Sequence, residues 1–227
     1  MLHGKVHPIL GLPSLVCVPV GPETAAELSD YVEAYLADDE VLAAARARAV
    51  AMGCPPASPA TCAALRFLAA VLQAKAVVEI GTGTGVSGLS LLRGMAPDGV
   101  LTSIDVDPEH QAVAKRAFSD AGVAPGRARL IMGRGVDVLP RLTDSGYDLM
   151  FADAAKADYL TYYAQGVRLL RPGGVLAFDD VNAAADPARR DVESTALRDV
   201  AKLVREDDRL VPLLLPTGDG LLVAAKI

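Results

Sequence analysis

The sequence predicts an α/β protein: a doubly wound, mostly parallel sheet of seven strands, closed by an antiparallel C-terminal hairpin and preceded by a helical extension. Three observations predict it. Short β-branched or apolar runs alternate with helical patterns from residue 77 onward. The first run enters its helix through the glycine-rich loop "VVEIGTGTGVSG", residues 77–88, and the last two runs, "RLVPLLLP" and "LLVAAKI", flank the turn "TGDG".

The apolar run "ILGLPSLVCVPV" near the N-terminus is interrupted by Pro13 and Pro19, has only Lys5 before it as a fixed charge, and is followed by no small-x-small cleavage site. It is too short to span a bilayer and reads as an extended arm packing on its own subunit or a neighbour's. Residues 24–52 place Ala, Leu and paired charges at helical spacing, giving two helices broken near Asp38 and Asp39. "CPPASP" stops helix formation, because proline lacks the amide hydrogen and restricts its predecessor. A further helix over Thr61–Leu72 leads into the first strand. Residues 1–60 are therefore an arm with helices, and 61–227 the main domain.

Strands follow at 77–80, 100–105, 128–132, 148–152 and 174–179, with helical patterns between them. Such alternation demands crossover connections, hence a parallel sheet covered on both faces. A helix at 192–206 then leads to two apolar runs joined by Gly-Asp-Gly, a hairpin that adds antiparallel strands at one end of the sheet.

With 227 residues, 52% of them apolar, the chain can bury a full core. A net charge of −6 and no Lys/Arg cluster argue against nucleic acid or an anionic membrane as partner. Cys17, Cys54 and Cys62 show no ligand or disulfide spacing, which suits reduced thiols and a cytoplasmic location.

The glycine loop contains two overlapping patterns. Gly83, Gly85 and Gly88 match a dinucleotide fingerprint, while Gly81, Gly83 and Gly85 form a loop one step earlier. Asp105 ends the second strand twenty residues after Gly85, where a carboxylate can accept both hydrogen bonds of a ribose diol. Asp107, before Pro108, is the better candidate for the helix cap. Glu79 separates the ligand classes: a carboxylate there opposes a pyrophosphate but suits a sulfonium and an ammonium, so S-adenosylmethionine is favoured. An ion pair with a distant Lys or Arg is the competing reading of Glu79.

Two more strand ends are acidic. "FADAAKADY" carries Asp153 and Lys156, and "LAFDDVN" carries Asp179 and Asp180. Strands one, four and five lie together in this topology, so these carboxylates should converge, and their mutual repulsion is relieved by a hard divalent cation such as Mg2+. The alternative is that each acid caps the segment after it. Tyr159, Tyr162 and Tyr163 read as packing groups, and His3, His7 and His110 as solvent-facing.

"VVEIGTGTGVSGLSLL", "LTSIDVDPEH", "YDLMFADAAKADYLTYY", "LLRPGGVLAFDDV" and "TGDGLLVAAK" together resemble the cation-dependent O-methyltransferases, which include catechol and caffeoyl-coenzyme A O-methyltransferases, from about Leu28 to the C-terminus. The resemblance implies a Rossmann-like methyltransferase fold. It implies cofactor contacts at Glu79, Gly81, Thr82, Gly83, Ser87, Asp105, Gly135 and Asp153, metal ligation by Asp153, Asp179 and Asp180, and Lys156 as catalytic base. It implies a small hydroxylated, catechol-like aromatic acceptor and a homodimer. The family usually has Asp-Asn where this chain has Asp179-Asp180, which adds a negative charge; Asn182 is a substitute ligand. A cation near Lys156 should lower its pKa and free it to take a proton. An NAD(P)-dependent oxidoreductase and a non-catalytic S-adenosylmethionine-binding protein are the rival readings.

Overall fold

The computed structural model describes residues 22–185 and 188–227. The expected apolar arm, with His3, His7 and Cys17, lies outside them. Five parallel strands, β1 (Ala76–Ile80), β2 (Val100–Asp105), β3 (Ala128–Met132), β4 (Tyr147–Ala152) and β5 (Leu170–Phe178), are extended by the antiparallel pair β6 (Leu210–Leu215) and β7 (Leu221–Lys226). The order across the sheet is β3-β2-β1-β4-β5-β7-β6. β5 begins at Leu170, four residues before the expected 174, because Leu170 already pairs with Tyr147 ahead of a register shift. The breaker-like Pro172–Gly173–Gly174 is thus a bulge inside the strand rather than its start.

The helices are α1 (Pro22–Ala34), α2 (Glu40–Ala51), α3 (Pro59–Val71), α4 (Val86–Gly94), α5 (Pro108–Asp120), the single turn α6 (Gly135–Val138), α7 (Tyr159–Leu169) and α8 (Val192–Glu206). Four of them start at a capping side chain. Asp39 accepts from Leu42 N at 2.9 Å, which explains the break before α2; Ser58 caps α3, Asp107 caps α5, and Asp191 caps α8.

Successive residues of a strand point to opposite faces. Val77, Leu101, Leu149 and Phe151 therefore join Leu65, Leu89 and Ala114 in one apolar cluster. Val78, Ile104, Met150 and Ala152 join Tyr162, Leu197 and Val200 in the other. Leu42, Ala45 and Ala57 of the helical extension belong to the first cluster, so the extension shares the core of the sheet. Among the described residues no helix is long and apolar enough to cross a membrane.

Candidate active site

The candidate residues sit at or beside the carboxyl ends of the parallel strands, where a doubly wound sheet opens its crevice. The chain leaves β1 at Gly81, whose φ is +95° and whose added Cβ would lie 1.9 Å from the Asp153 carbonyl oxygen. Only glycine permits this approach, and it brings the β1 and β4 ends together. Gly83 N donates to Asp105 Oδ2 at 2.9 Å, and Thr84 Oγ1 donates to the Ala45 carbonyl at 2.9 Å, fixing the loop to β2 and to α2.

The crevice has two lobes. One of about 250 Å³ is bounded by Pro55, Thr82, Ser87, Asp105, His110 and Asp153. The other, about 350 Å³ and more apolar, is bounded by Ile80, Ile104, Val106, Gly135, Ala155 and Tyr162. Gly81, Asp105, Val106, Ala154 and Ala155 border both. Asp105, at the junction, can bind a ribose diol, with a flat apolar base on one side and a polar chain on the other.

Of the expected cofactor residues, Gly81, Thr82, Gly83, Ser87, Asp105, Gly135 and Asp153 line the crevice. Glu79 lies beneath the loop, fully buried. The hydroxyls of Ser87 and Ser103 donate to its two oxygens, each at 2.6 Å, so its partners are hydroxyls and not the lysine or arginine of the competing reading. Ser103 spends its one proton on Glu79, so the Thr82 hydroxyl, 2.7 Å away, must donate to Ser103. Burial pushes the Glu79 carboxyl up to about 7, against the pull of the Ser103 and Ser87 hydroxyls. Glu79 reaches the crevice through Ser87 and Thr82.

The acidic strand ends surround Lys156. Its Nζ donates to Asp153 Oδ1 and to the Tyr159 hydroxyl, both at 3.0 Å, and lies 3.3 Å from Asp180 Oδ2. Burial opposes the ammonium, but Tyr159 and Asp153 outweigh it and hold the Lys156 pKa above the ordinary lysine range. Among these groups Lys156 is the positive charge, held by Asp153, Asp180 and the Tyr159 hydroxyl; the expected lowering belongs to the cation-bound site. Asp179, 5% exposed, leaves Oδ1 buried without a partner. Burial and the neighbouring Asp153 charge push its carboxyl up to about 7. Asp180 adopts φ +60°, a left-handed conformation that Asn and Asp tolerate best among residues with a side chain. The Asp-for-Asn exchange therefore keeps the turn and changes its charge. Among the described residues no three His, Cys, Asp or Glu side chains are arranged as they stand to hold a metal ion. Asn182 packs against Gly220 and donates its backbone N–H to the Asp219 carbonyl.

Two site residues escaped the sequence reading. Tyr159 is a packing group, as expected, but its buried hydroxyl also accepts from Lys156 and shares its one proton between the carbonyls of Ala152 and Asp179, each 3.1 Å away, joining the ends of β4 and β5. Its spacing of three from Lys156 was the available signal. His110, expected in solvent, borders the crevice with Nδ1 3.9 Å from Asp105 Oδ1. Ala114 and Phe118 of α5 pack against Gly85 of the loop, and His110, one turn before Ala114, borders the crevice.

A doubly wound sheet with an antiparallel β6–β7 end, a glycine loop above a buried carboxylate and an acidic residue closing β2 beside that loop define a class I S-adenosylmethionine-dependent methyltransferase. Within that class, the family model described as O-methyltransferase matches residues 27–227, and the chain belongs to that family. A relative from Mycolicibacterium vanbaalenii, provisionally named an O-methyltransferase, is 53% identical over 205 residues, covering 89% of this chain and 91% of that protein. A solved Corynebacterium glutamicum structure is 33% identical with a TM-score of 0.83, covering 89% of this chain and 96% of that one. The O-methyltransferase TomG of Streptomyces achromogenes, involved in tomaymycin synthesis and solved with S-adenosylmethionine, is 28% identical with a TM-score of 0.79, covering 88% and 96%. Family membership removes the oxidoreductase reading.

Proposed function

We propose that the enzyme transfers the methyl group of S-adenosylmethionine to a hydroxyl of a small catechol-like aromatic, assisted by a divalent cation, with Lys156 as the catalytic residue. The observation that carries this reading is the Asp179 oxygen, buried without a partner beside Asp153, Lys156 and Asp180. A buried carboxylate oxygen with nothing to accept from calls for a cation or a proton. The donors there are all oxygens, which fit a hard ion: Asp153, Asp179 and Asp180 would hold it. Such an ion, Mg2+ by preference, acidifies and orients a hydroxyl bound to it.

The chain's own part is binding, orientation and proton handling. Asp105 takes the ribose, Glu79 acts through Ser87 and Thr82, and Gly81, Gly83 and Gly135 line the crevice that takes the cofactor. Methyl transfer is an in-line displacement, so holding the acceptor oxygen opposite the sulfur supplies much of the rate. Lys156 takes the acceptor's proton at Nζ. The carboxylates that now favour its ammonium are those that serve a cation; once their charge is shared, the proton affinity of Lys156 falls. TomG, solved with S-adenosylmethionine, supports the choice of cofactor.

The test is calorimetric titration with S-adenosylmethionine, with and without Mg2+, followed by a catechol assay with a chelator arm. Binding together with chelator-sensitive methylation of a catechol is expected. Binding without turnover on any catechol, with Mg2+, Mn2+ or Ca2+ present, would leave the non-catalytic reading standing. The proposed homodimer rests on the exposed apolar β6, and free Cys54 and Cys62 accord with a cytoplasmic location.

A further inference from the structure

We propose that Glu33, on α1, is a positioning residue that joins the two walls of the active-site mouth. One carboxylate gathers three segments. Glu33 Oε1 accepts from the Ser58 hydroxyl at 3.0 Å and from Gly218 N at 2.9 Å, and Oε2 accepts from Ala60 N at 3.0 Å. The acid thus caps α3 from outside: Pro59 has no N–H, Thr61 N is held by Ser58, and Ala60 N is held by Glu33.

Each gathered segment leads into the site. The residues just before Ser58, Pro55 to Ala57, border the cofactor lobe. Their position is further fixed by Arg46 Nη1, which donates to the Ala57 carbonyl at 2.6 Å. On the other side, the β6–β7 turn carries Gly218, so close to Ser58 that an added Cβ would lie 2.7 Å from its hydroxyl. The same turn accepts the backbone N–H of Asn182 at Asp219 (2.8 Å) and of Val181 at Gly220 (3.0 Å), the two residues directly after Asp179 and Asp180. Glu33 therefore ties the cofactor wall to the loop bearing the acidic pair, across 185 positions of sequence. No motif marks it, since its partners are two backbone amides and a hydroxyl supplied by distant folding.

An amide at this position keeps one acceptor oxygen and turns a donor toward Ala60 N. Glu33→Gln should therefore loosen one side of the clamp, and Glu33→Ala both. The inference rests on the functional reading only in taking this mouth as the meeting place of cofactor and acceptor; it is independent of the acceptor's identity and of the cation. The experiment compares full-length wild type, Glu33→Gln, Glu33→Ala and the control Asp30→Asn by amide hydrogen exchange and by steady-state kinetics. Faster exchange in segments 54–62 and 179–184 is expected for both Glu33 variants. KM for cofactor and acceptor should rise by about tenfold, the size of one charge-assisted hydrogen bond, with a smaller fall in kcat. Graded effects, Gln milder than Ala, support positioning. A lowered melting temperature with wild-type KM values and wild-type exchange at 179–184 would overturn it. If Glu33→Ala does not fold, Glu33→Gln and Ser58→Ala decide by the same readouts. A wild type that fails to bind S-adenosylmethionine sinks the functional reading instead, and exchange at 179–184 alone then judges the clamp.

Discussion

At the scale of single residues, the site is a set of carboxylates whose partners decide their charge. Glu79 is protonated more readily in the fold than outside it, because burial pushes it from 4.5 up to about 7. A raised acid pKa means the native state binds more protons than the unfolded chain between those values, so stability falls as pH rises from about 4.5 to 7 and is flat above. The size is on the order of 3 kcal/mol. Asp179 shifts the same way over the same window, so Glu79→Gln should roughly halve the slope of stability against pH and not abolish it; denaturant melts between pH 4.5 and 8 measure this. A slope equal to that of wild type would mean Glu79 stays ionised in the fold. Lys156→Ala should lower kcat by at least about a hundredfold in protein that still folds, with a lower melting temperature because Asp153 and Asp180 lose their cation, and Lys156→Arg should not restore turnover, because a guanidinium cannot accept the proton. Unchanged turnover in a folded Lys156→Ala protein removes the base. The place of Asp105 at a strand end and the cap at Asp107 were legible because both are local features. The charge state of Lys156 was not, since it depends on the fold packing the buried Tyr159 hydroxyl and Asp153 together against the ammonium.

At the scale of elements, the glycine loop works because the β1 exit touches the β4 exit. Gly81 and Gly122 both have positive φ, +95° and +69°, but an alanine Cβ meets the Asp153 carbonyl at the first and nothing within 4 Å at the second. Gly122→Ala therefore isolates the conformational cost, about 1–2 kcal/mol. Gly81→Ala adds a backbone collision that only parting β1 from β4 can relieve. The expected outcome is a Gly122→Ala protein that binds S-adenosylmethionine like wild type, and a Gly81→Ala protein with binding lost or weakened by more than about a hundredfold. Calorimetry decides, and equal affinities would show that the loop is not the cofactor's cradle. The strands, the cap at Asp107 and the hairpin were readable because alternation, a capping residue before proline and turn glycines are local signals. The early start of β5 was hidden, since Pro172 and two glycines look like a boundary until pairing with Tyr147 carries the strand past them.

At the scale of the whole molecule, the sheet ends in an edge that a monomer would leave greasy. Sequence marked β6 and β7 as a hairpin but could not say which of them joins β5; the fold places β7 inside and β6 outermost. Val211, Leu213 and Leu214 are consequently 55%, 54% and 60% exposed, and because neighbours on a strand face opposite ways, both faces of the edge are apolar. Such an edge invites association. Pro212, paired with Ala224, has no N–H, so a continuous sheet across two copies is disfavoured and side-chain packing is the expected mode. Burying a leucine contributes about 1.5–3 kcal/mol. Replacing Leu213 and Leu214 by aspartate therefore removes several kcal/mol per protomer, enough to weaken a dimer by more than about a hundredfold. Sedimentation at assay concentration should show a dimeric wild type and a monomeric Leu213→Asp/Leu214→Asp protein that still binds S-adenosylmethionine, because neither leucine borders the cofactor lobes. A monomeric wild type would mean that the exposed strand is covered by something other than a second copy.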